Sequence, residues 1–302
     1  MKTSILLLAL TAGLLGNSAQ AYDFNDFLKQ LPSQLGKQPE PAQPAPAQTD
    51  APAKQPSLRE NATNILLGAI AKPSDNDEIQ LGQQLAGNLL GAAPLVKDDN
   101  LQRYVNKVGR WVALQSDRPD LPWHFGVIDS TDINAFAAPG GFVFVTKGLY
   151  QQLNNEAELA GVLGHEISHV VNKDQLNILQ KSKLIGLGAQ ALGKQIKGSD
   201  AAQQLIGSGA EIMARALDKD AEFAADRMGM VLAARAGYDA YGLPAVLQEI
   251  GHTPANDSRV ALLFKTHPAP DVRFDMLGDA IGNRFDRLPP GKDLQQRFYR
   301  IK

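Results

Sequence analysis

The run His165-Glu166-Ile167-Ser168-His169 constrains this chain more than any other feature. Its two histidines stand four positions apart. On an α-helix that spacing puts both imidazoles on one face, one turn apart, where they can point at a single ion. The surrounding residues support a helix: Asn154 or Asn155 can open it, and Leu159, Val162, Leu163, Ile167 and Val170 follow at helical intervals. Ala160 and Val171 add to its apolar surroundings, so the helix is expected to be buried. Buried imidazoles and a buried carboxylate need partners, and a metal ion supplies them. The chain has five histidines in 302 residues, so a chance H-E-x-x-H has a probability of roughly half a per cent.

Each residue type in the pattern has separate work to do. Zinc held by neutral imidazole nitrogens lowers the pKa of its water to about 7. Glu166, beside the ligands but not one of them, can take a proton from that water and pass it to a leaving amine. A third ligand is needed. A second glycine-histidine extension after the motif is excluded, because Asn172 and Gln175 occupy the positions it requires. A carboxylate on a later helix remains, and Asp218-Lys219-Asp220-Ala221-Glu222-Phe223-Ala224-Ala225-Asp226 offers one. Glu222 would complete a site of two histidines and one glutamate, and Asp226, one turn on, could accept a hydrogen bond from a ligating imidazole. By itself this stretch would read as a solvated acidic face partnered by Arg215 and Arg227; beside H-E-x-x-H it reads as ligands.

Four pieces in this order resemble a known family: Asn134-Ala135-Phe136-Ala137-Ala138-Pro139-Gly140-Gly141, then H-E-x-x-H, then Glu222-x-x-x-Asp226, then Thr266-His267-Pro268 with Arg273 following. Over roughly residues 75 to 285 the chain is similar to the HtpX-like zinc peptidases related to the CAAX prenyl proteases, and within them to the soluble periplasmic BepA- and LoiP-like members. The resemblance implies a gluzincin-like α+β domain, mainly helical, with a small sheet and one zinc ion held by His165, His169 and Glu222. It implies places beside the ligands for Asp226 and Arg273, and substrate contacts for Asn134, Phe136, Gly140 and Gly141. It gives His267 an active-site role, either donating to the oxyanion of the tetrahedral intermediate or occupying the open zinc position at rest. It further implies unfolded or misassembled envelope proteins as substrates and contact with outer-membrane assembly proteins. Unlike the prenyl proteases, the chain carries no set of transmembrane helices. It also has no cysteine to lipidate, and about twenty residues follow its last predicted helix.

The remaining features set the context. Lys2, the apolar run Ile5 to Leu15 and Ala19-Gln20-Ala21 read as a secretory signal peptide over residues 1–21, cleaved after Ala21. Export to the periplasm follows. Residues 22–57 hold a short cluster, Phe24, Phe27 and Leu28, and then a Pro/Ala/Gln-rich linker from 37 onward; residues 58–302 form the catalytic domain. Export without cysteine leaves a core or a metal to stabilise the fold. A net charge of −2 gives no field for nucleic acid. Leu184 to Leu192 is apolar but closely flanked by Lys181, Lys183 and Lys194, which favours a packed helix over a membrane span. Capped helices are expected after Ser74 and Asp77, through Leu85 and Leu89, and after Asp98 or Asp99, through Leu101, Val105, Val108 and Val112. Trp123 to Ile128 and Phe142 to Val145 read as strands, with His124 an ordinary strand residue and His252 a loop residue. The second strand could be an exposed edge that pairs with an extended peptide, or an interior strand. These residues together imply a zinc endopeptidase of envelope proteins. A zinc-containing chaperone or adaptor has no use for Glu166, and an aminopeptidase needs an acidic amine-binding group that no motif supplies.

Overall fold

The computed structural model describes residues 73–180, 217–254, 256–285 and 287–301. The expected signal peptide, the linker and Leu184 to Leu192 lie outside the described residues. Helix α1 spans Asp75–Ala92, and its N-cap Ser74 forms a reciprocal pair with Asp77, each side chain accepting from the other's backbone N–H. Helix α2, Asp99–Ala113, starts at Asp98, whose carboxylate accepts from the amides of Asn100 and Leu101. Its buried stripe is Leu101, Val105, Val108 and Val112, as its periodicity predicts.

Three strands follow: β1 at His124–Ile128, β2 at Ala135–Ala138 and β3 at Phe142–Thr146. Their order is β1-β3-β2, with β1 parallel and β2 antiparallel to β3. The strand at Phe142 is therefore the interior one, which excludes it as a peptide-pairing edge. The outer side of β1 is closed by α2: Gln102 Oε1 accepts from Val127 N–H and Asn106 Oδ1 from Phe125 N–H. Both β1 and β2 are edges of the sheet, and the backbone of β1 is met on its outer side by these α2 side chains and by an isolated bridge from Leu95 to Ile128. His124 is stacked on Phe142, and burial pushes its pKa down to about 4.

After a short helix α3, Lys147–Gln152, comes α4, Glu156–Val171. Asn155 caps α4 by accepting from Glu158 N–H, and residues Glu156 to Val170 are buried on every side. A helix enclosed in this way is the centre of a domain. Helix α5, Lys219–Arg235, crosses it at glycines: a Cβ on Gly229 would lie 2.8 Å from His165 N. Helix α6, Gly242–Gly251, packs on α4 at Gly161 and Ala157. Helices α7, Leu263–Thr266, and α8, Pro270–Ile281, follow. The fold is mainly helical with a small three-stranded sheet, and its main core joins α2, the sheet, α4 and α5. No helix among the described residues is long and apolar enough to cross a membrane.

Candidate metal centre

The enclosure of α4 forces polar side chains into the core. His165 and His169 are both buried, and their Nε2 atoms lie 3.0 Å apart. Helix α5 brings Glu222 against them: Oε2 is 3.7 Å from His165 Nε2 and Oε1 is 3.7 Å from His169 Nε2. His267, the C-cap of α7, places Nδ1 2.7 Å from Glu222 Oε2. One ligand atom from each of these four residues lies within 4.8 Å of every other.

Each imidazole is braced on its far side. His165 Nδ1 is 2.9 Å from Asp226 Oδ1, and Asp226 is in turn gripped by Arg273 through Nε at 2.9 Å and through Nη2. Arg273 Nη2 also lies 3.2 Å from His165 Nδ1. Guanidinium nitrogens only donate, so an Nδ1–H directed at Asp226 leaves this second contact as proximity, not a hydrogen bond. His169 Nδ1 is 2.8 Å from Asp174 Oδ2. With both Nδ1 atoms turned to carboxylates, both Nε2 lone pairs face the space beside Glu222. Two lone pairs at 3.0 Å repel unless a proton or a cation lies between them.

The charges are split accordingly. Burial, followed by Arg273, holds His165 below the ordinary histidine range. Burial opposes ionisation of His169 too, but Asp174, Glu222 and Glu166 outweigh it and hold His169 above that range. Glu222 would be raised by burial, yet His267, His165 and His169 draw it down to about 2. Burial likewise disfavours the Asp226 carboxylate, and Arg273 with His165 more than reverses this, holding it well below the carboxylate range. Glu222 Oε1 is buried with no hydrogen-bond partner among the described residues. An ionised oxygen left bare in a core costs several kcal/mol unless a cation meets it, on the order of 1–3 or more. The donor set of imidazole nitrogens and carboxylate oxygen suits zinc.

Two cavities meet at Glu166 and His267. The larger is walled mainly by apolar residues, among them Val162, Leu243, Leu247 and Ile250. The smaller runs along Ala135, Phe136 and Ala137 of β2. Phe136 thus reaches the centre, whereas Asn134, Gly140 and Gly141 line neither cavity. Asn134 is fully buried with its amide unpartnered among the described residues. Gly140 and Gly141 form the β2–β3 turn with φ of 77° and 103°, and a Cβ on Gly140 would meet Ile79 Cα at 2.6 Å. Gly140 thus packs against α1, and Gly141 against the backbone of Pro122 and Trp123 ahead of β1. His252 caps α6 on the surface. Sequence reasoning missed Asp174; the signal available was an aspartate five residues after His169, just past the end of the helix.

The sequence pattern described as Peptidase family M48 matches residues 99–281. The chain is 29% identical over 269 residues to the Beta-barrel assembly-enhancing protease of Escherichia coli (strain K12), covering 86% of this chain and 53% of that protein. It is 26% identical over 187 residues to the Mitochondrial metalloendopeptidase OMA1 of Arabidopsis thaliana, covering 62% and 37%. It is 30% identical over 200 residues to the Protease HtpX homolog 1 of Streptomyces coelicolor (strain ATCC BAA-471 / A3(2) / M145), covering 53% and 65%. The chain spans about half the length of the first of these. The matched region holds all four members of the buried His/Glu cluster and both carboxylates that brace it, so the chain belongs to peptidase family M48.

Proposed function

We propose that this chain is a zinc-dependent endopeptidase that cleaves unfolded or misassembled proteins of the bacterial envelope. The observation that carries the reading is the Glu222 carboxylate, its Oε1 bare, with one oxygen 3.7 Å from each of the His165 and His169 Nε2 atoms and Glu166 beside them on α4. His165, His169 and Glu222 would hold the ion, with Asp226, Arg273 and Asp174 fixing the two rings. A zinc ion in that place supplies a Lewis acid and makes water acidic near neutral pH. Glu166, where the two cavities meet, takes the proton of the attacking water and returns it to the leaving amine. The free side of β2 supports an extended peptide lying along Ala135 to Ala137, with its bond at Glu166 and an apolar side chain entering the larger cavity. Such a mode requires an unfolded segment, and a relative named for β-barrel assembly supports envelope proteins as the substrates. The contact between His267 Nδ1 and Glu222 supports a fourth, resting ligand more than an oxyanion donor. Periplasmic location rests on the signal-like residues 1–21.

The test is Glu166→Gln, which removes the base and spares the ligands. Zinc content should stay at one per chain while casein hydrolysis falls to near background, and envelope proteins should accumulate on the variant as trapped substrates. A zinc-loaded Glu166→Gln protein with full activity would refute the mechanism.

A further inference from the structure

A second charged cluster takes no part in the proposed reaction. Glu78, on α1, is fully buried. Its Oε1 accepts from Arg118 Nη1 at 2.8 Å and from Gly140 N–H at 3.0 Å; its Oε2 accepts from Arg118 Nη2 at 3.0 Å and lies 2.9 Å from Lys173 Nζ. Asp75, at the surface, takes a further contact from each cation, at 2.9 Å from Arg118 and 3.1 Å from Lys173. A buried carboxylate satisfied on every side resists displacement, because losing one partner leaves charge uncompensated. The donors come from three separate segments: the loop after α2, the β2–β3 turn, and the turn that ends α4.

That last turn carries the brace on His169. Arg118 Nη1 also donates to Val170 O at 3.2 Å, one residue past His169. Lys173 is one residue before Asp174, whose carboxylate holds His169 Nδ1. The 170–174 turn is therefore tied at both ends to the same Arg118–Glu78 pair. Lys173 has φ 60°, a conformation strained for a side chain with a Cβ and favoured by glycine or asparagine. Backbone preference cannot account for lysine there, whereas its two carboxylate contacts can.

We propose that Lys173 and Glu78 are positioning residues for the metal centre: their ion pair sets the 170–174 turn so that Asp174 holds the His169 ring in its ligating orientation. The inference rests on the metallopeptidase reading above. Because Gly140 is bound to the same carboxylate, the strand proposed to hold the peptide is anchored to the same point.

The test measures zinc affinity of the full chain by chelator competition, beside thermal melting. Lys173→Met leaves Glu78 its contacts with Arg118 and Gly140, so the fold should persist at some cost in stability, which the melt reads. Its zinc Kd should rise roughly threefold to tenfold, less than the 10–100-fold expected when the brace itself is lost in Asp174→Asn. Lys173→Gly relaxes the backbone yet removes the ammonium, and should lose as much affinity as Lys173→Met. Lys173→Arg should restore wild-type affinity. Wild-type affinity in Lys173→Gly, or no rescue by arginine, would overturn the proposal while leaving the metallopeptidase reading intact. A wild-type chain that binds no zinc would overturn both.

Discussion

Replacing Gly229 by alanine tests whether the crossing of α4 and α5 sets the metal geometry. The added Cβ would lie 2.8 Å from His165 N, 3.1 Å from His165 Cα and 3.3 Å from Gly161 O. All three are backbone atoms, so no side chain can swing aside. Restoring ordinary contact, near 3.4 Å, means separating the helices by about 0.6 Å. Asp226 lies three residues before Gly229, and a shift of that size would stretch its 2.9 Å contact with His165 to about 3.5 Å, the limit of a hydrogen bond. Glu222, one turn further, would draw back from both imidazoles. Alanine gains up to about 1 kcal/mol in helix propensity over glycine, and overpacking costs about 1–3 kcal/mol. The melting temperature should therefore fall only modestly, while zinc affinity falls about 10–100-fold, as when a bracing partner is lost. Gly278→Ala on α8 is the control: nothing lies within 4 Å of its Cβ, so stability should rise slightly with zinc affinity unchanged. Chelator competition and thermal melts on both variants decide the matter. If Gly229→Ala binds zinc as wild type does, the crossing does not set the site.

Further outcomes follow from the same geometry. Glu222→Ala should lose tightly bound zinc altogether, and Asp226→Asn should weaken it about 10–100-fold; retention of unchanged affinity in Glu222→Ala would mean another residue is the third ligand. His267→Ala at equal zinc loading should raise peptide hydrolysis if that residue closes the site at rest. A drop in kcat of about 10²–10³-fold would instead assign it to the oxyanion. The mature N-terminus should be Tyr22, and N-terminal sequencing that begins at Met1 would contradict export by a cleaved signal.

Helix starts were legible because caps are local chemistry: Ser74 with Asp77, Asp98 and Asn155 each satisfy amides within three residues. The site residues were legible because i, i+4 spacing survives into the fold unchanged, bringing Glu222 with Asp226 as it brings His165 with His169. Strand order was not legible. No periodicity says that a strand at Phe142 will lie between two others, and Ala135–Ala138, with three alanines and one phenylalanine, has too few of the branched and aromatic residues that announce a strand. It becomes one by pairing with β3. Asp174 and the Glu78 cluster were also hidden, since their partners lie across turns or up to 98 residues away, as with Asp75 and Lys173. Glycine weakens a helix, yet the glycines at 161, 164 and 229 let α4, α5 and α6 approach closely enough to assemble the site.

The formal charges around the histidines show why this core requires an ion. Glu166, Glu222, Asp226 and Asp174 contribute four carboxylates, and Arg273 is the one guanidinium among them, gripping Asp226. Neutralising Glu222 by protonation is closed off, since His267 and the two other histidines hold its pKa near 2. Protonating His165 is opposed by burial and by Arg273. Protonating His169 relieves part of the excess, and that proton would occupy the space between the two rings or the link to Asp174. A divalent cation beside Glu222 Oε1 relieves more, because it meets the bare oxygen and both lone pairs at once. An ion bound only by the folded chain stabilises it by mass action. The buried negative excess that would disfavour folding of the bare chain is thus the same feature that makes the folded chain select a cation.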